Sequence, residues 1–93
     1  MKKILITRRL LRSCEEKASK IFNTQLNTND ELYSQKKLLE LSQGCDGMLT
    51  SITDKMDREI INKLPDTIKI ISNFAVGFGN IDIEAAKKRN IVV

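Results

Sequence analysis

Ninety-three residues make one small domain with room for a single core, and 41% hydrophobic with 30% charged residues is the balance of a globular chain. Its apolar runs fall well short of the ~18–20 residues needed to cross a bilayer. The net charge of +4 comes largely from Lys2, Lys3, Arg8, Arg9, Arg12, Lys17 and Lys20, but Glu15 and Glu16 interrupt that run and one Tyr and three Phe leave little to stack on bases, so a solvated helix face explains it better than a nucleic-acid surface.

The amino terminus, Met1-Lys2-Lys3-Ile4-Leu5-Ile6-Thr7, begins basic, yet its apolar run is too short for a signal peptide and lacks a small-residue cleavage site. The expectation is a cytoplasmic protein. Cys14 and Cys45 have neither metal-ligand nor redox spacing and read as a reduced pair. The chain has no histidine, which removes a Ser-His-Asp triad, a His-based zinc site and a histidine general acid from within it.

In chain order, residues 3–7 read as a first strand, buried on both faces as parallel strands are. After a turn over 8–12, Ser13 stands three residues before Glu16, a capping-box spacing, and predicts a helix to Lys20 or Ile21 with Cys14, Ala18 and Ile21 on one face. Residues 22–26 form a weaker, edge-like strand, and Asn27-Thr28-Asn29-Asp30 is the clearest loop, because these side chains bond their own backbone. Ser34 caps a second helix to Leu41 or Gln43, whose apolar face is Leu38, Leu39 and Leu41, and Gly44 suits the position that ends it. A third strand spans 45–50, followed by a loop at 51–55. Thr53 or Asp54 then caps a helix over 56–63 bearing Met56, Ile60 and Ile61, which Pro65 stops.

A fourth strand over 68–72 is brief and β-branched, as a buried strand should be. It runs into Val76-Gly77-Phe78-Gly79-Asn80, and a fourth helix follows over 83–89 with Asp82 as its N-cap and Asn90 as its left-handed terminator. Ile91-Val92-Val93 starts a fifth strand. Alternating strands and helices with short connections predict an α/β fold, a flavodoxin-like parallel sheet of order 2-1-3-4-5 with helices on both faces. Glycines where a strand gives way to a helix leave bare backbone N–H groups at the carboxyl edge of the sheet, where ligands bind in open α/β folds. Such groups favour an anion such as a carboxylate. Taken alone, one G-x-G is also an ordinary turn with no ligand, and the third glycine of a dinucleotide fingerprint is absent because Asp82 stands there.

The stretch Ser72-Asn73-Phe74-Ala75-Val76-Gly77-Phe78-Gly79-Asn80-Ile81-Asp82-Ile83-Glu84-Ala85-Ala86-Lys87-Lys88-Arg89-Asn90-Ile91-Val92-Val93 closely resembles a segment of the D-isomer-specific 2-hydroxyacid dehydrogenases, above all the glyoxylate/hydroxypyruvate reductase branch. The likeness extends through residues 47–57 and, loosely, to residue 1. It implies that Val76 and Gly77 bind a substrate carboxylate through backbone N–H groups, with Ala75 and Ser51 shaping the pocket. Many relatives carry an acid where Gly79 stands and a pocket-lining Leu where Ser51 stands. The second departure bears on which keto acid fits.

The resemblance further implies an NAD- or NADP-dependent reductase of small 2-keto acids, a homodimer when full-length. Its nucleotide sits on a Rossmann domain; its proton comes from a histidine tuned by a glutamate, and an arginine orients the substrate. None of those motifs occurs here, and Arg8, Arg9, Arg12, Arg58 and Arg89 lie in no matching context. Residues 1–93 are therefore expected to be the amino-terminal substrate-binding portion of a longer enzyme, or a truncated form of one, without the cofactor domain. Alone it is expected to be inactive, binding neither nicotinamide nucleotide, metal, nucleic acid nor membrane.

Plainer readings stand beside these. Ser51 reads as a pocket or loop serine rather than a nucleophile, for want of an adjacent base. Helix capping and surface charge account for Asp54 and Asp57. Phe74 is expected in the core or against the absent domain, and Asn80 and Asp82 are expected to brace the glycine turn and cap the helix. A phosphoacceptor receiver domain fails, because the first strand ends in Thr7-Arg8-Arg9 and the third in Leu49-Thr50-Ser51, where acids would be required. A free-standing, non-enzymatic domain that binds a small carboxylate remains the alternative.

Overall fold

The structure is a computed structural model and describes residues 1–74, 77 and 79–93. Its sheet is parallel throughout, with β1 (Lys3–Ile6), β2 (Asn23–Gln25), β3 (Gly47–Ser51) and β4 (Ile70–Phe74) in the order β2-β1-β3-β4. The expected fifth strand shortens to one bridge, Ile70 to Val92, made where that strand would lie, with Ile71 N–H donating to Val92 O at 2.8 Å and Val92 N–H to Lys69 O at 2.9 Å. The order is thus the expected one as far as the described strands extend.

Strand register puts Leu5, Met48 and Ile71 side by side, all buried. Against that face pack α2 (Gln35–Ser42), α3 (Arg58–Lys63) and α4 (Ile83–Lys88), which supply Leu38, Ile60, Ile61, Ala85 and Ala86 to one continuous core. Right-handed crossovers in both directions from β1 place α1 (Arg12–Ile21) on the opposite face, beside β2.

Local capping signals decide three of the helices. Ser34 Oγ accepts from Lys37 N–H at the start of α2, and Asp82 Oδ1 from Ala85 N–H at the start of α4. Gly44 and Asn90, at φ 77° and 59°, take the left-handed conformation that ends those helices. Between them, Asp57 rather than Thr53 or Asp54 caps α3, accepting from Ile60 N–H at 3.1 Å. The helix starts at Arg58 because Met56 is drawn into a parallel bridge with Ile81: its N–H donates to Asn80 O, and its carbonyl accepts from Asp82 N–H, both at 2.8 Å. That satisfied backbone lies outside any helix.

The first helix departs most from expectation. It begins at Arg12 behind Leu11, without a side-chain cap, so the Ser13–Glu16 box does not form. Instead Glu15 reaches back to Leu10 N–H at 3.1 Å, while Glu16 pairs with Arg12. Its expected apolar face is not a core face either. Cys14 is exposed, Ile21 is 57% exposed, and no residue of α1 is buried. β4 also sits two residues later than expected, which keeps each side chain on its face but carries Asn73 and Phe74 into the strand. Phe74 lies 62% exposed and so is not part of the core.

Candidate functional site

Parallel strands end together, so the tips of β1, β3 and β4 and the turn after β4 form one edge. Ser51 closes β3 and pairs in register with Phe74, which puts it beside the start of the glycine turn. Gly77 lies in that turn, exposed, at φ 87°, a conformation L side chains rarely adopt. A Cβ built on it would meet nothing within 4 Å, so the need for glycine there is conformational rather than steric. Gly79 is likewise exposed with open space around it, but only Gly77 of the two takes a positive φ. Ala75 and Val76, the other residues expected at the site, lie outside the described residues.

Beneath this edge runs a polar network. Asp54 is buried to 1% exposure, and its Oδ2 accepts from the Thr7 hydroxyl and, at 2.9 Å, from Ser51 N–H. One carboxylate oxygen thereby ties the tip of β1 to the tip of β3. Its other oxygen has no protein partner. Asp54 is thus neither a helix cap nor a surface charge. Asn27, also buried, donates to the carbonyls of Thr7 and Glu31 and accepts from Glu31 N–H, folding the 27–31 loop onto the end of β1.

On the outer side, Arg8 spans Asp30 and Thr53. Its Nε and Nη2 donate to the two Asp30 oxygens at 2.8 and 3.2 Å, and Nη1 donates to Thr53 Oγ1 at 2.8 Å. The Arg8 guanidinium and the Arg9 N–H hold the Asp30 carboxyl down at about 2. Arg8 is therefore a fastener between loops, its charge already matched.

Ser51 Oγ bonds Thr53 Oγ1 at 2.8 Å and reaches Asp54 Oδ2 only at 3.4 Å. Because that oxygen already takes the Thr7 hydroxyl and Ser51 N–H, it clamps the loop rather than acting as a base. Ser51 is half-buried at the end of β3.

The glycine turn is bracketed by two amides. Asn73 Nδ2 donates to Asn80 Oδ1 at 2.8 Å and to Gly77 O at 3.2 Å, and Asn80 Nδ2 donates to the carbonyls of Ser51 and Asp54 at 2.9 and 3.0 Å. Asn80 braces the turn as expected. Asn73, Thr7, Asn27 and Asp54 were not legible as parts of the site. Spacing alone does not separate a buried Asp54 from a capping one, and only the strand order brings Thr7 beside it.

Among the described residues of this edge no group is poised for proton transfer. Among the described residues no cluster of three or more His, Cys, Asp or Glu is placed to hold a metal ion. Nor does the start of α4 suit a dinucleotide. The Asp82 carboxylate already takes Ala85 N–H, where a pyrophosphate would have to sit.

Comparison with known proteins gives the family and the fold. Residues 4–93 match the family model described as D-isomer specific 2-hydroxyacid dehydrogenase, catalytic domain. The chain is 32% identical over 92 residues to glycerate dehydrogenase of Hyphomicrobium methylovorum, covering 99% of this chain and 29% of that protein. It is 36% identical over 91 residues to glyoxylate reductase of Thermococcus litoralis, covering 98% of this chain and 27% of that protein. Its fold superposes with a TM-score of 0.93, at 24% identity, on a Polaromonas sp. JS6 66 structure assigned to the NAD-binding D-isomer specific 2-hydroxyacid dehydrogenases, covering 98% of this chain and 28% of that one. The chain therefore spans under a third of the length of these relatives.

Proposed function

The chain belongs to the D-isomer specific 2-hydroxyacid dehydrogenase family over residues 4–93, and from that we propose that it forms the substrate side of an NAD- or NADP-dependent reductase of small 2-keto acids such as glyoxylate or hydroxypyruvate. The observation that carries this reading is the exposed Gly77 turn at the carboxyl edge, beside Ser51 and after a parallel strand. Backbone N–H groups of Val76 and Gly77 take the substrate carboxylate, with Ala75 and Ser51 setting the space around the rest of the molecule.

The nicotinamide nucleotide, in this reading, is held by a Rossmann domain of the full-length protein, since the described residues offer it no cradle. That domain would also bring the proton donor. The work of residues 1–93 is then to bind and orient: they fix the carboxylate so that the carbonyl faces the part of the protein that reduces it. A homodimeric, cytoplasmic full-length enzyme belongs to the same proposal. Among the described residues no helix is long and apolar enough to cross a membrane.

Ser51 gives the test of substrate class. Replacing it with Leu fills polar space with an apolar side chain, so the full-length protein should shift toward keto acids with apolar tails and away from glyoxylate. One pocket contact is worth ~1–3 kcal/mol, or roughly 10- to 200-fold in the ratio of kcat/KM values. An unchanged ratio would remove Ser51 from the pocket wall. The alternative, a carboxylate-binding domain without turnover, predicts glyoxylate binding by the full-length protein and no reduction.

A further inference from the structure

Asn73 is the penultimate residue of β4 and Asn80 follows Gly79, so the two flank the glycines, and their side-chain amides face one another. Asn73 Nδ2 donates to Asn80 Oδ1 at 2.8 Å, and Asn80 Nδ2 to Asn73 Oδ1 at 3.3 Å. The surroundings fix which way each amide points. Asn80 Nδ2 faces the carbonyls of Ser51 and Asp54, which only a donor can satisfy. Asn73 Nδ2 faces the carbonyl of Gly77, while its Oδ1 accepts from the Thr50 hydroxyl at 2.9 Å. Flipping either amide would set oxygen against oxygen.

Resting on the carboxylate reading above, we propose that Asn73 and Asn80 act together as the positioning unit of the site. The reciprocal amides close the ends of the turn. Asn73 also holds the carbonyl of Gly77, which ties the middle of the turn to the end of β4. Through Asn80 the same unit is bonded to Ser51, so the wall that would take the carboxylate and the wall that would shape the substrate's other end are held at one spacing. Half-buried amides sharing partners in this way should behave as a single energetic element rather than two.

The test uses the 93-residue chain with Asn73→Ala, Asn80→Ala and the double replacement, read by amide NMR. In the unaltered chain Gly77 and Gly79 should show backbone order parameters near the rigid value of ~0.85, falling below ~0.6 in each variant. Glyoxylate-induced shifts at Gly77 should fall about tenfold in either single variant, and the double should be no worse than the weaker single, as coupled residues require. Arg89→Met provides the control. Arg89 bonds Ile61 O, Leu64 O and Asp66 away from the edge, so its loss should lower Tm and leave the order parameters and the glyoxylate response intact.

Rigid glycines in the variants, a mobile turn in the unaltered chain, or an Arg89→Met that reproduces the loss would overturn the proposal. Should Asn80→Ala not fold, Asn73→Ala decides the matter alone. A rigid unaltered turn with no response to glyoxylate would instead defeat the carboxylate reading, which the order parameters do not depend on.

Discussion

Gly77 and Gly79 stand two residues apart and are both exposed, yet the backbone treats them differently. Because Gly77 sits at φ 87° with open space where a Cβ would go, a side chain there acts through the backbone, by forcing the turn out of its left-handed conformation. In the full-length protein, Gly77→Val should lower kcat/KM on the order of a hundredfold, ~2.7 kcal/mol of transition-state binding. Normal kinetics in a folded variant would end the carboxylate assignment. Gly79→Asp is the counterpart: with open space and no positive φ, it should change stability by no more than ~0.5 kcal/mol in a denaturant titration. The sequence made the turn itself readable, since two glycines between a β-branched run and an Asp-capped helix leave few other conformations. It did not reveal what holds the turn, because the partners of Asn73 and Asn80 include carbonyls more than twenty residues away. An asparagine in a loop has too many local uses for its distant one to be read from spacing.

Among the elements, those governed by neighbouring residues were legible and those governed by distant ones were not. Ser34, Gly44, Asp82 and Asn90 each act within a few residues, and each does what its position foretells. Ser13 does not cap α1, because the segment ahead of it is held elsewhere: Arg9 N–H donates to Asp30 at 2.9 Å, and Glu15 takes Leu10 N–H. Asp54 loses the capping of α3 to Asp57 for a related reason, since the Met56–Ile81 bridge keeps the intervening backbone extended. Nor does the sequence show how tightly β3 passes its neighbours. At Gly47, between Ile4 and Ile70 in the register, a Cβ would lie 2.8 Å from Ile70 Cγ2, 3.0 Å from Ile4 Cδ1 and 3.2 Å from Ile70 O. The side-chain tips can yield, whereas the β4 carbonyl yields only if the sheet moves. Gly47→Ala should therefore cost ~1–3 kcal/mol as an overpacked site. At roughly 4–8 °C per kcal/mol for a domain of this size, a calorimetric Tm unchanged within a degree or two would show that the sheet relaxes without cost.

For the molecule as a whole, the loops at the carboxyl edge are fastened by charge as well as by packing. Asp30, at φ 52°, presents both carboxylate oxygens to Arg8, and its carboxyl is lowered from 3.8 to about 2. A carboxyl whose pKa is depressed on folding contributes stability that is present above its unfolded pKa and lost as pH falls through the folded value. The Asp30 contribution should accordingly be intact above about pH 4 and fade toward pH 2. Asp30→Asn tolerates the same left-handed backbone while removing the charge, so its Tm should differ from the parent's near neutral pH and converge with it as the pH approaches 2. Equal differences at both pH values would show that the Arg8–Asp30 pair does not contribute through charge.

On the proposed function, the same edge sets what residues 1–93 can do by themselves. Hydride transfer needs donor and carbonyl held within ~3–3.5 Å, and the one helix that follows the glycine turn has its N-terminus occupied by the Asp82 carboxylate. On the proposed carboxylate reading a keto acid gains two backbone hydrogen bonds, each worth only ~0.5–1.5 kcal/mol net of hydration. Even with the pocket walls contributing, affinity should be on the order of millimolar or weaker, since a millimolar constant already takes ~4.1 kcal/mol. Calorimetry and NMR on the 93-residue chain should accordingly show small, barely saturating shifts at Gly77 and Gly79 with glyoxylate, none with NADH, and no consumption of NADH when both are present. Saturable NADH binding would mean that the chain holds a nucleotide site its described residues do not reveal. Reduction of glyoxylate by the pure chain would go further and place the proton donor within these residues, overturning the division of labour proposed for the enzyme.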